Sequence, residues 1–183
     1  MFEAERGLGQ NRWQVVRLHA GSKTEVTLLS TAFFSLTTHF NRVTVLCAID
    51  GCVLCEILPS RGLFYVAVMC CGRVHLLELG AQSAGHFEQH ARLLHGGMAP
   101  GLVFELSRRG AKSPVHSEVV RVQEGATEVD LLTLAQRVLA VYKYPPCNPG
   151  DSMEDYERRI HAIAQRRNEY LAAELQKHKP AAL

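Results

Sequence analysis

The chain has 183 residues, 47% of them hydrophobic, 21% charged and 7% aromatic. That is enough for a domain with a real core, and it excludes a largely disordered or collagen-like chain. Its 20 Lys and Arg against 18 Asp and Glu leave a net charge of +2, so no overall field selects nucleic acid or an anionic membrane.

No apolar run reaches the roughly 18 residues of a transmembrane helix. The start, Met1-Phe-Glu-Ala-Glu-Arg6, has mixed charge and no apolar segment behind it, so no secretory leader is expected. The expected setting is cytoplasmic and reducing, without a membrane. Residues 1–10 read as a loose arm. Trp13–His19 alternates like a strand, and Thr24–Leu29, after Gly21-Ser22-Lys23, is expected to pair back on it as a hairpin. Phe33–Phe40 is ambiguous between strand and loop, and Val43–Leu46 is a short strand.

Leu63–Cys70 and Arg73–Leu79 flank Gly72 and predict a second hairpin. Ser83 is a candidate cap for a helix to about His95, with Phe87, Ala91 and Leu94 on one face and Gly96-Gly97 as its stop. Gly101–Arg108 and Val115–Val122 read as the last strands, around a basic turn. Thr127–Asp130 opens a helix to about Tyr142, then Tyr144-Pro-Pro-Cys-Asn-Pro-Gly150 forms a stiff linker. Ser152-Met-Glu-Asp155 is a second capping box, for a helix to about Lys177. Its stripe of Met153, Tyr156, Ile160, Ile163, Tyr170 and Leu171 predicts docking on a protein partner or a second copy through residues 152–177. The expected fold class is α+β: a zinc-containing domain over residues 1–125, then a helical extension over 126–183.

The cysteines are the most informative feature. Six in a leaderless chain read as thiols or metal ligands before disulfides. His39, Cys47, Cys52 and Cys55 form H-x7-C-x4-C-x2-C. A tight turn within C-x2-C directs two sulfurs at one point, Gly51 supplies backbone freedom for the knuckle, and thiolate with imidazole favours Zn²⁺. Four ligands close the shell, so the zinc is structural. Buried apolar thiols or a redox C-x-x-C are the alternatives, and His75 or Asp50 could stand in for His39. Cys70 and Cys71, in an apolar strand, read as core residues on opposite faces. His86 and His90, one helical turn apart, read as a polar face. No P-loop, G-x-S-x-G, H-E-x-x-H or G-x-G-x-x-G is present, and His39-Phe-Asn41 lacks the glutamate of a zinc deaminase, so no enzyme is expected.

A histidine followed by three clustered cysteines among the strands of a small β domain resembles the zinc-containing single-stranded-DNA-binding proteins of T-even-type phages. The resemblance rests on His39, Cys47, Cys52 and Cys55, and loosely on the strands from Leu63 to Val122. It implies a small OB-like β-barrel with a zinc-knuckle insertion and a non-enzymatic role on single-stranded DNA in replication or recombination. The family's acidic tail is missing, and its basic N-terminal arm is not matched by Glu3, Glu5 and Arg6. The predicted order from Leu63 onward (two strands, helix, two strands) agrees with an OB barrel. A strand binder needs cations along a groove and aromatic faces for stacking. The candidates are Arg61, Phe64 and Tyr65 after the knuckle, Arg73 on the next strand, and Arg108, Arg109 and Lys112 in the basic turn. A zinc-stabilised adaptor using the C-terminal helix is the competing reading.

Overall fold

The structure, a computed structural model, describes residues 13–177; the expected arm of residues 1–10 lies outside them. Among the described residues eight strands are formed: β1 (Gln14–Val16), β2 (Lys23–Leu28), β3 (Phe34–Asn41), β4 (Val43–Leu46), β5 (Ser60–Cys70), β6 (Arg73–Gly80), β7 (Leu102–Ser107) and β8 (His116–Val122). Three α-helices accompany them: α1 (Ala81–His95), α2 (Leu131–Val141) and α3 (Met153–Lys177). A short 3-10 helix spans Val53–Glu56. The class is α+β.

The sheet runs β1-β6-β5-β2-β7-β8, with β3 on β5 and β4 on β3. Its ends, β1 and β8, do not meet, so the sheet is open. The closure that makes an OB-like barrel is therefore not formed by the described strands. The predicted β1–β2 hairpin is not formed either. β1 lies parallel to β6, with Val15 opposite Leu76, while β2 pairs antiparallel with β5 and with β7. Val26 and Leu28 are buried and belong on the core side of a central strand, which a two-stranded ribbon could not offer them. The β5–β6 hairpin forms as expected, with Leu63 opposite Gly80 and Cys70 opposite Arg73.

The chain divides into two compact units that interleave along the sequence. The first holds the described residues up to Ser35 together with Leu63–Val138. Its core joins Val26 and Leu28, Val66 and Val68, Leu77 and Leu79, and Phe104 and Leu106 from four strands to Phe87 and Ala91 of α1. The Phe87 and Phe104 rings stack with centroids 3.7 Å apart. Gly101, at φ +93°, lies against Gln123, where a Cβ would collide with the Gln123 carbonyl. Gly96, in the left-handed region at φ +76°, ends α1 as expected. Ser83 does not cap that helix. Gly80 holds the N-cap position, and the Ser83 hydroxyl accepts from the Val115 N–H instead.

The second unit holds Leu36–Gly62 and the chain from Leu139 onward. Ser152 and Asp155 form the expected capping box reciprocally: Asp155 N–H donates to Ser152 Oγ, and Ser152 N–H and Oγ–H donate to Asp155 Oδ2. The proline linker is tied to the helix it precedes. Tyr156 Oη–H donates to the Pro145 carbonyl, and Arg159 donates to the Pro146 carbonyl. α3 buries Tyr156, Ile160, Ala164, Asn168 and Ala172 and packs on the 3-10 helix and β4. The expected stripe is thus partly used inside its own unit, with Tyr156 and Ile160 buried and Tyr170 70% exposed.

Candidate metal centre

β3 and β4 form a hairpin turned by Arg42, whose φ is +59°, with His39 opposite Val45. The strand alternation directs His39 inward, where it is fully buried. Cys47 follows the end of β4, and its N–H donates to the Thr37 carbonyl. The chain then reverses through Ile49 (φ +59°) and Gly51 (φ +67°) into Cys52 and the 3-10 helix that carries Cys55. Glycine relieves the second of these left-handed positions, as the sequence suggested. At the first, the strained Ile49 donates its N–H to Cys47 Sγ at 3.3 Å.

The ligand atoms of His39, Cys47, Cys52 and Cys55 all lie within 4.8 Å of one another. His39 Nε2 is 3.4 Å from Cys52 Sγ and 3.6 Å from Cys55 Sγ, and Cys47 Sγ is 3.6 Å from Cys55 Sγ. A tetrahedral zinc with ordinary bond lengths separates its ligands by about 3.8 Å for sulfur–sulfur and about 3.6 Å for sulfur–nitrogen. The cluster therefore has the dimensions of a zinc shell. His39 Nδ1 lies 3.3 Å from the Pro59 carbonyl, which fixes Nδ1–H and turns Nε2 to the thiols.

Burial raises the Cys52 thiol. The Ala48 and Leu54 N–H groups, with Cys47 and His39, outweigh it and bring the thiol down to about 6. Burial pushes the Cys47 thiol up to about 12; the Ile49 N–H opposes this, and the neighbouring Cys52 and Cys55 add to it. One thiol of the cluster is thus ready as a thiolate, and another keeps its proton until a metal ion binds the sulfur and displaces that proton into solvent.

The four expected ligands are the ones brought together. Among the described residues no other group of His, Cys and carboxylates converges in this way, so neither Asp50 nor His75 replaces His39. Cys70 and Cys71 depart from expectation. Cys70 is buried at the end of β5, but Cys71 leaves the strand into the turn at φ +50° and is exposed. Their sulfurs lie 3.8 Å apart rather than on opposite faces.

The residues expected to grip nucleic acid fare unevenly. Tyr65 is fully buried and donates its Oη–H to Glu78, so it has no face to offer a base. Phe64 packs edge-on against Phe33 at 5.9 Å, beside the core of the first unit. Arg108 donates to the carbonyls of Leu18, Ala111 and Ser113 and holds its turn together. Arg61, Arg73, Arg109 and Lys112 are exposed. Sequence reasoning missed Phe40. It is 56% exposed, opposite Thr44 on the hairpin, with the Arg61 guanidinium 5.8 Å from its ring centroid. The signal was there in His39-Phe40-Asn41-Arg42: if His39 points inward on a hairpin strand, Phe40 must point out.

The chain matches no protein-family model, no curated protein and no solved structure with which it was compared. Among the described residues, no helix is long and apolar enough to cross a membrane.

Proposed function

We propose that this chain is a non-enzymatic protein that binds single-stranded DNA in replication or recombination, with a structural zinc supporting the binding unit. The observation that carries the reading is the exposed Phe40 ring with the Arg61 guanidinium over it, beside the exposed Arg42. A base stacks on such a ring, and the two guanidinium groups neutralise flanking phosphates, a combination that serves any sequence. The His39, Cys47, Cys52 and Cys55 shell holds both strands of that hairpin from below. When bound, the zinc supplies folding energy rather than chemistry, because four protein ligands fill a tetrahedral ion. An OB-like arrangement of the strands is part of this proposal only as far as an open sheet allows.

The adaptor alternative requires a free apolar stripe on α3. Tyr156 and Ile160 are buried within the second unit, so the structure lends that reading little beyond the exposed Tyr170. Fluorescence anisotropy with oligo-dT at two salt concentrations tests the proposal. Binding that weakens as salt rises supports it, and Phe40→Ala should cost about 1–3 kcal/mol of that binding. Absence of binding at low salt overturns it.

A further inference from the structure

Five buried residues on α3 recur every fourth position: Tyr156, Ile160, Ala164, Asn168 and Ala172. Four of them need no explanation beyond packing. Asn168 does, because it is 1% exposed in the middle of a helix, where asparagine is a poor helix former and a buried amide is costly unless paired. Its amide is paired on both hydrogens. Nδ2 donates to the Leu46 carbonyl at 2.9 Å and to Cys52 Sγ at 3.4 Å. Both acceptors belong to the metal centre, one as a candidate ligand and the other as the residue preceding Cys47.

We infer that Asn168 is an outer member of the metal centre, fixing the Cys52 sulfur and fastening the C-terminal helix to the loaded site. The inference rests on the metal reading above and deepens it. Cysteine sulfur bound to a metal carries negative charge, and a buried N–H aimed at it is a charge-assisted donor that disperses this charge. The other hydrogen of the same amide grips the backbone at the end of β4, so the donor cannot swing away. His39 has the equivalent support from Pro59 and Cys47 from the Ile49 N–H. Cys52 has the Ala48 and Leu54 N–H groups of its own loop, and it is the ligand that takes a further partner from far along the chain, residue 168, some 116 positions away. α3 is therefore part of the site, and the metal in turn is part of what holds α3.

The test uses the full chain with zinc or with Co²⁺, whose thiolate charge-transfer bands report on the sulfur ligands. Wild type should bind one ion per chain. Asn168→Leu, which keeps the buried stripe apolar, should retain tetrahedral cobalt bands. Its charge-transfer band should shift, and its metal affinity should fall 10- to 100-fold. Asn168→Asp should lose more, because a carboxylate faces the thiolate.

In wild type, removing zinc with a chelator should raise hydrogen exchange in α3 around Asn168, a measurement that stands even if a variant fails to fold. A cobalt spectrum and affinity unchanged in Asn168→Leu would overturn the assignment, as would α3 exchange indifferent to zinc. A wild-type chain that binds no metal removes the metal reading itself, and the assignment with it.

Discussion

At the scale of single residues, the metal centre and the basic turn make opposite predictions about what a substitution reaches. Against the effect of burial, the Ala48 and Leu54 N–H groups with Cys47 and His39 hold the Cys52 thiol down to about 6, below its ordinary value of 9.0. Its thiolate therefore stabilises the fold fully above pH 9.0, and that contribution is lost as pH falls through about 6. Cys47, raised to about 12, keeps its proton over the same window, and a metal must displace it. Zinc binding thus releases at least one proton around neutral pH, and apparent affinity should rise at least about tenfold per pH unit, as read by competition with a chromophoric chelator. An affinity indifferent to pH contradicts this. Arg108 and Arg109 are neighbours with different duties. Arg108→Ala removes donors to three carbonyls and should lower stability by on the order of 2 kcal/mol in a denaturant titration, whereas the exposed Arg109→Ala should stay within about 0.5 kcal/mol.

At the scale of elements, local signals were legible where the chemistry was local. The β5–β6 hairpin, the Gly96 stop and the Ser152–Asp155 box were all visible in a few adjacent residues. The four metal ligands were legible for the same reason, since they lie within seventeen positions. What misled was pairing at a distance. β1 meets β6 rather than β2, and Ser83 turns to Val115 rather than to its own helix, and nothing within a short window announces either.

The α2 start shows a smaller displacement. The capping pattern placed Thr127 as the cap and Asp130 inside the helix. Instead Asp130 is the cap, its Oδ1 accepting from Thr133 N–H and its Oδ2 from Thr133 Oγ1–H. These bonds from Thr133 hold the Asp130 carboxyl below its ordinary value. The stability they contribute is therefore present above the unfolded value of 3.8 and lost as pH falls through the lowered folded value. Asp130→Ala should cost about 1 kcal/mol at neutral pH, with the difference from wild type narrowing in acid.

At the scale of the whole molecule, a net charge of +2 gives any nucleic-acid affinity no general field to lean on. The proposed function must then come from one locality, and Phe40, Arg42 and Arg61 all lie in the unit that also holds the metal cluster. That coincidence makes binding and metal occupancy a single experiment. Zinc that binds the folded chain and not the unfolded one adds about 4 kcal/mol of stability at a thousandfold excess over its dissociation constant. Stripping it should lower the thermal transition and raise hydrogen exchange in Leu36–Gly62 and from Leu139 to Lys177. The sheet of the other unit has its own core of Phe87, Phe104 and Leu106 and should keep its protection. Affinity for oligo-dT should disappear with the zinc and return when it is restored. In the loaded protein, two phosphate contacts give a plot of log affinity against log salt a slope of about −1.4. Arg61→Glu should flatten that slope, while Arg166→Glu on α3 should leave it unchanged. If the zinc-free chain binds oligo-dT as tightly as the loaded one, the hairpin over the metal is not the binding surface.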